Sequence, residues 1–117
     1  MVNISTELGS ISITSEVFTN IAGAAATSCF GVKGMVTCGK DGGPWQLLRR
    51  ESMSKGVVAH NNDDGTVSLE LHIGVDNGVN ISAVCRSIIK EVRYKVAKAT
   101  GVPVKSVDVY VDTVIVG

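Results

Sequence analysis

The amino-acid sequence predicts an α+β domain of two layers, a mixed β-sheet with two long helices packed on one face, in the order β-α-β-β-β-α-β. Three observations predict it. Val67, Leu69, Leu71, Ile73 and Val75 alternate strictly with smaller or polar residues, as a strand with one covered face requires. Two other stretches, starting near Val17 and Cys85, carry apolar residues at the spacing of a helix stripe. Clusters of Gly, Asn, Asp and Pro separate these stretches as turns would. At 117 residues the chain is long enough for one core and short for two, so residues 1–117 are expected to form one domain.

The first strand is expected over Gly9 to Thr14, where Ile11 and Ile13 alternate with Ser10 and Ser12. Thr14-Ser15-Glu16 then supplies a capping hydroxyl and an early carboxylate ahead of Val17, Phe18, Ile21, Ala22, Ala25 and Cys29, which predicts the first helix. Its centre, Gly23-Ala24-Ala25-Ala26, has almost no side-chain bulk and should let a neighbouring backbone approach closely. Gly31 is placed to end this helix in a left-handed conformation, and Val32 to Cys38 reads as the next strand.

The stretch GKDGGPWQLLRRESMSK, from Gly39 to Lys55, breaks the pattern. Its glycines predict a mobile connection, and Pro44 suits the first turn of a short helix from which Trp45 and Leu48 fold back on the body. Val57 to His60, the turn Asn61-Asn62-Asp63-Asp64-Gly65 and the alternating strand after it predict a β-hairpin. The second helix is expected from near Ser82 with Cys85, Ile88, Ile89, Val92, Val96 and Ala99 on its stripe, and Gly101 and Pro103 stop it. In the last strand Val107, Val109, Val111 and Ile115 are expected on one face and Asp108, Tyr110 and Asp112 on the other.

Composition narrows the functional classes. Eleven Lys and Arg balance eleven Asp and Glu, so overall charge does not steer the protein toward a phosphate backbone. Aromatic residues make up only 4% of the chain, too few for a base-stacking platform. Nucleic acid is therefore not the expected partner. Three cysteines, Cys29, Cys38 and Cys85, lack a CxxC spacing and fit neither a disulfide framework nor a four-ligand zinc site, which points to reduced thiols in the cytoplasm. The N-terminus lacks the basic and apolar regions of a signal peptide, and no run approaches the roughly 18 apolar residues of a spanning helix, so no direct membrane insertion is expected.

No catalytic, cofactor-binding or metal site is expected from these residues. His60 and His72, the only histidines, fall on different rungs of the hairpin with no carboxylate at a recognisable ligand spacing. Cys29 and Cys85 sit on the helix stripes as small hydrophobes, which leaves Cys38 as the one thiol open to an exposed, reactive role. Gly31-Val32-Lys33-Gly34 matches the G-x-x-G loop of KH domains in letters only, since that loop joins two helices and this segment joins a helix to a strand. With Arg49 and Arg50 it forms the alternative reading, an RNA-binding module. The candidate interaction surfaces are the Trp45 loop with Arg49 and Arg50, and the wetter sheet face, where Ser68, Glu70, His72, Asp108, Tyr110 and Asp112 converge. From these, Trp45, Arg49, Arg50, His72 and Tyr110 are taken as the surface residues of interest.

Three stretches carry a resemblance that covers nearly the whole chain: GSISITSEVFTNIAGAAATSCFGVKGM, then GVVAHNNDDGTVSLELHIGV, then NISAVCRSIIKEVRYKVAKATGVPVKSVDVYVDTVIV. Together they resemble the bacterial alkaline-shock family, in family order. The departures fall in GKDGGPWQLLRRESMSK, which leaves open any partner carried by that loop. The resemblance implies a non-enzymatic cytoplasmic protein of the envelope stress response or envelope homeostasis, without a cofactor. It also implies a protein partner, membrane-anchored for some relatives, and a homo-oligomer for others.

Overall fold

The computed structural model describes residues 1–38, 45–47 and 56–116, with the side chains of 37, 38 and 45–47 excepted. The chain runs β1 (Val2–Thr6), β2 (Gly9–Ile13), α1 (Ser15–Thr27), β3 (Val32–Cys38), β4 (Trp45–Leu47), β5 (Val57–Asn61), β6 (Val67–Asp76), α2 (Ile81–Thr100) and β7 (Val104–Ile115). The expected two-layer α+β architecture is present. Two strands differ from the sequence reading. Val2–Thr6 pairs with Gly9–Ile13 as an antiparallel ribbon of its own, so the chain opens with two strands rather than one. Trp45–Leu47 is a strand paired with Val36–Cys38, where a short helix was expected. A Trp-Gln-Leu segment suits a pleated surface, and the ladder with β3 satisfies backbone groups that one turn of helix would leave open. Gly39–Gly43, expected as a mobile connection, and Pro44, Leu48, Arg49 and Arg50 lie outside the described residues.

Among the described residues, three of the other four strands of the main sheet pair directly with β6, and β4 joins through β3. β7 runs parallel to β6 along its length, whereas β5 pairs antiparallel with its first half and β3 with its second half, so β3 and β5 share the edge opposite β7. The sheet is thereby mixed. Val67, Leu69, Leu71, Ile73 and Val75 are at most 1% exposed. They form one core with Phe18, Ala22, Ala25 and Ala26 of α1 and Val84, Ile88, Val92 and Val96 of α2, which places both helices on the same sheet face. Each large side chain so buried contributes on the order of 1.5–3 kcal/mol, while an isolated helix of this length is marginal. The small residues Ala22, Gly23, Ala25 and Ala26 of α1 are buried, and α1 and α2 pack against each other.

The helix ends show how local sequence sets the boundaries. Asn80 caps α2 by accepting from the Ala83 amide at 3.0 Å, and Gly101 closes it in the left-handed region at φ 75°. At α1 the expected hydroxyl cap is not used: the Thr14 side chain makes no capping bond, and only its carbonyl accepts, from Val17 N–H at 3.1 Å. At the other end the Thr27 hydroxyl donates to the Gly23 and Ala24 carbonyls and the Ser28 hydroxyl to the Ala25 carbonyl, tying both side chains back onto the last turn. Gly31 does not cap this helix, which ends at Thr27 with Ser28 as its cap. It instead reverses the chain into β3 at φ 90°. A Cβ on Gly31 would lie 2.9 Å from Val84 Cγ2 and 3.3 Å from Val79 Cγ1, so this turn is pressed against the start of α2.

The last strand also departs from simple alternation. Val107, Val109 and Val111 sit beside Leu69, Leu71 and Ile73 on the core side, but the register then shifts so that Gly74 pairs with Thr113 and Asp76 with Ile115. The extra residue moves Ile115 to the face opposite the one expected.

Three stability effects follow. Gly31→Ala combines a strained left-handed backbone with a collision against Val84, and should lower the unfolding free energy by roughly 2–4 kcal/mol. Gly65→Ala carries a similar φ of 85° but meets nothing within 4 Å, and should cost only about 1–2 kcal/mol in the same urea titration. In that hairpin turn the Asp64 carboxylate accepts from both the hydroxyl and the amide of Thr66, at 2.6 and 3.1 Å, which lowers its pKa. A group depressed in the folded state adds stability above its unfolded pKa and loses it as pH falls through the folded value. Asp64→Ala should therefore lower the melting temperature at pH 7, with the difference from wild type closing in acid below the ordinary carboxylate range.

Candidate functional site

With the helices on one face of the sheet, the even-numbered residues of β6 look out from the other. Ser68, Glu70 and His72 are partly exposed there, and the parallel register sets Ser106, Asp108 and Tyr110 beside them. On the opposite edge of β6, Val58 pairs with Glu70 and His60 with Ser68, which extends the same open face across β5. The two histidines lie on separate rungs, as the hairpin spacing predicts.

His72 is the centre of this face. Its Nδ1 stands 2.7 Å from Asp112 Oδ2, and with the carboxylate as acceptor the ring donates through Nδ1–H. Its Nε2 lies 3.7 Å from Glu70 Oε2. The ring also stacks on Tyr110, with centroids 4.9 Å apart and planes 13° from parallel. The Tyr110 ring thus has one face supported by His72 while the residue remains 44% exposed. Asp112 reaches His72 at the place where β7 carries its extra residue, between the rungs Ile73–Val111 and Gly74–Thr113. Alternation alone grouped Asp108, Tyr110 and Asp112. The setting of His72 between two carboxylates was not legible, because the bulge that places Asp112 leaves no mark in the periodicity.

Of the residues singled out in the sequence, His72 and Tyr110 are brought into contact. Trp45 lies in β4 opposite Cys38, far along the sheet order from β7, and the side chains of both are outside the described set. Arg49 and Arg50 fall outside the described residues. Gly34 is within β3 and pairs with Gly74, so the Gly31–Gly34 segment is a turn leading into a strand and not a loop between helices. Among the described residues no three His, Cys, Asp or Glu side chains group as metal ligands, and no helix is long and apolar enough to cross a membrane. Residues 3–116 match the model of the alkaline-shock protein family, which is described as having a "cell envelope-related function".

The chain belongs to the alkaline-shock family. This is the family that the sequence resembles, and it brings a cell envelope-related function. Within it the chain is similar to the uncharacterized protein YloU of Bacillus subtilis, at 34% identity over 97% of this chain and 94% of the relative. It is equally similar to the uncharacterized protein Spy1614 of Streptococcus pyogenes, at 34% identity over 97% and 93% of the two chains. A second streptococcal protein, uncharacterized Spy1535, shares 26% identity over 92% of this chain and 81% of its own length. No solved structure matches the chain.

Two of the thiols, Cys29 and Cys85, are placed for packing. Cys29 and Cys85 are partly buried, and burial raises the pKa of each. At Cys29 a hydrogen bond with Ser87 opposes that rise without cancelling it. A raised pKa means less thiolate at a given pH. Iodoacetamide at pH 8 should therefore modify Cys29 and Cys85 several-fold more slowly than free cysteine, with rates converging only on unfolding, as peptide mass mapping would show.

Proposed function

We propose that this protein is a non-enzymatic structural or interaction protein of the envelope stress response or envelope homeostasis, acting by self-association or by binding a membrane-linked partner. In this reading it resides in the cytoplasm and reaches the membrane only through that partner. One observation carries the reading: among the described residues no polar or charged side chain is buried, so their Asp, Glu, His, Lys and Arg groups reach the surface. The helices cover one side of the sheet with apolar contacts, and the opposite side presents Glu70, His72, Asp108 and Tyr110 to solvent. A broad, shallow β surface with a supported Tyr suits protein recognition better than catalysis, which needs a reacting group shielded beside a base. The family's envelope-related description supplies the setting.

The alternative of RNA binding finds less support. Its Gly31–Gly34 element is a helix-to-strand turn with Gly34 already in the ladder, and the open face carries carboxylates that repel phosphate.

The test is affinity capture from cells grown with and without envelope stress, using tagged wild-type protein and a Tyr110→Ala variant checked for folding by circular dichroism. Wild type should retain either untagged copies of itself or a membrane-fraction protein. Tyr110→Ala should retain several-fold less. Recovery of neither from folded wild-type protein, or recovery of a defined RNA in their place, would overturn the reading.

A further inference from the structure

Among the described residues, the rungs of the open sheet face around Glu70 gather acid without a Lys or Arg, and Lys33 lies farther along β6 with Asp76 at 3.7 Å. Glu70 and Asp108 are neighbours in the β6–β7 register, and like charges so placed across adjacent strands repel. Asp108 is exposed and makes no hydrogen bond or ion pair among the described residues. Asp112 lies further along β7, held by His72 at 2.7 Å. His72 bridges Asp112 and Glu70, and its 3.7 Å reach toward Glu70 leaves that carboxylate free to take a closer partner. The other side chains that share these rungs are Ser68, Ser106, Val58, His60 and Tyr110. No Lys or Arg is among them. Beside Glu70 and Asp108 stands Tyr110, its ring backed by His72 and its residue 44% exposed.

A planar cation with several donors fits this arrangement. A guanidinium stacks on an aromatic ring and donates to carboxylates in a fixed fork, whereas a compact ammonium does the first less well. Anionic partners such as RNA or an acidic lipid surface would meet Glu70, Asp108 and Asp112 as like charge. Resting on the protein-binding reading above, and deepening it, we infer that the open sheet face recognises an arginine-bearing peptide segment of a partner protein. The guanidinium lies against Tyr110 and pairs with Glu70 and Asp108. His72 and Asp112 act as positioning residues, since they hold the ring and the neighbouring carboxylate without needing to touch the ligand. The positive charge of the guanidinium between Glu70 and Asp108 offsets their mutual repulsion, which gives binding its favourable electrostatic part.

The experiment titrates fluorescein-labelled octa-arginine peptide into the whole protein, by anisotropy and by amide chemical shifts, with octa-lysine and octa-glutamate peptides as controls. Octa-arginine should bind more tightly than octa-lysine and perturb amides of residues 68–72 and 106–112. Octa-glutamate should not bind. The double variant Glu70→Gln with Asp108→Asn should weaken octa-arginine binding by about ten-fold or more at low salt, and Tyr110→Leu should remove the preference for arginine over lysine. Both variants change exposed or partly exposed side chains, and unchanged shifts for the core valines of β6 would confirm that each is folded. Equal affinity in wild type and the double variant, shifts confined to another surface, or equal binding of lysine and arginine would overturn the inference. Displacement of the peptide by a second copy of the protein at this face would do the same, by making self-association the occupant. Should capture from cells still retrieve a partner while octa-arginine does not bind, this inference alone falls; should capture retrieve nothing, the wider reading falls with it.

Discussion

The packing of one face of β6 against two helices is the interaction on which the rest of this structure depends. Five alternate side chains of a single strand, Val67 through Val75, are essentially fully buried, and β3, β5 and β7 are all aligned through their pairing with that strand. A slip of one residue in β6 would turn its buried valines, leucine pair and isoleucine to water and its Glu70 and His72 into the helices. Because that exchange is so unfavourable, the register of the whole sheet is determined by the register of one element. The small-residue surface of α1 and the aliphatic stripe of α2 are complementary answers to the same demand: both helices must fit on one side of a narrow sheet, and Gly23, Ala25 and Ala26 supply the room.

The parity that buries the odd-numbered residues also assembles the candidate surface. Glu70, His72, Asp108 and Tyr110 are neighbours because β6 and β7 run parallel in a register that sets even beside even. The stack of His72 on Tyr110 and the short bond from His72 to Asp112 then convert a row of independent side chains into a fixed group. The protein thus separates its roles by sheet face, with apolar contacts for stability on one and ordered polar groups on the other.

How much of this could be read from residues alone differs by element. The β5–β6 hairpin, both long helices and the open-face grouping follow from periods of two and 3.6, which leave a direct trace in hydrophobic spacing. The ribbon of Val2–Thr6 with Gly9–Ile13 left a weaker trace, because most of its residues are exposed and alternation has no covered face to report. The strand at Trp45–Leu47 is three residues long and held by its partner, so local sequence could not distinguish it from one helical turn. The exit of α1 was misplaced for a related reason: Gly31 has the backbone of a capping glycine but serves the following turn. On the open face, the side of the sheet on which His72, Asp108 and Tyr110 fall was legible, whereas the Asp112–His72 bond depended on a register shift set by pairing with β6.

The N-terminal ribbon stands in a different relation to the core from every other strand. Among the described residues it pairs only within itself, its tip at Leu8 is wholly exposed, and its hold on the body comes from Val2 at the base with help from Ile4 and Ile13. Two strands with so little apolar cover are marginal by themselves. The ribbon ahead of α1 therefore forms a unit whose opening is decoupled from global unfolding: it can peel away, exchange its amide protons or be clipped while the packing of β6 with α1 and α2 persists.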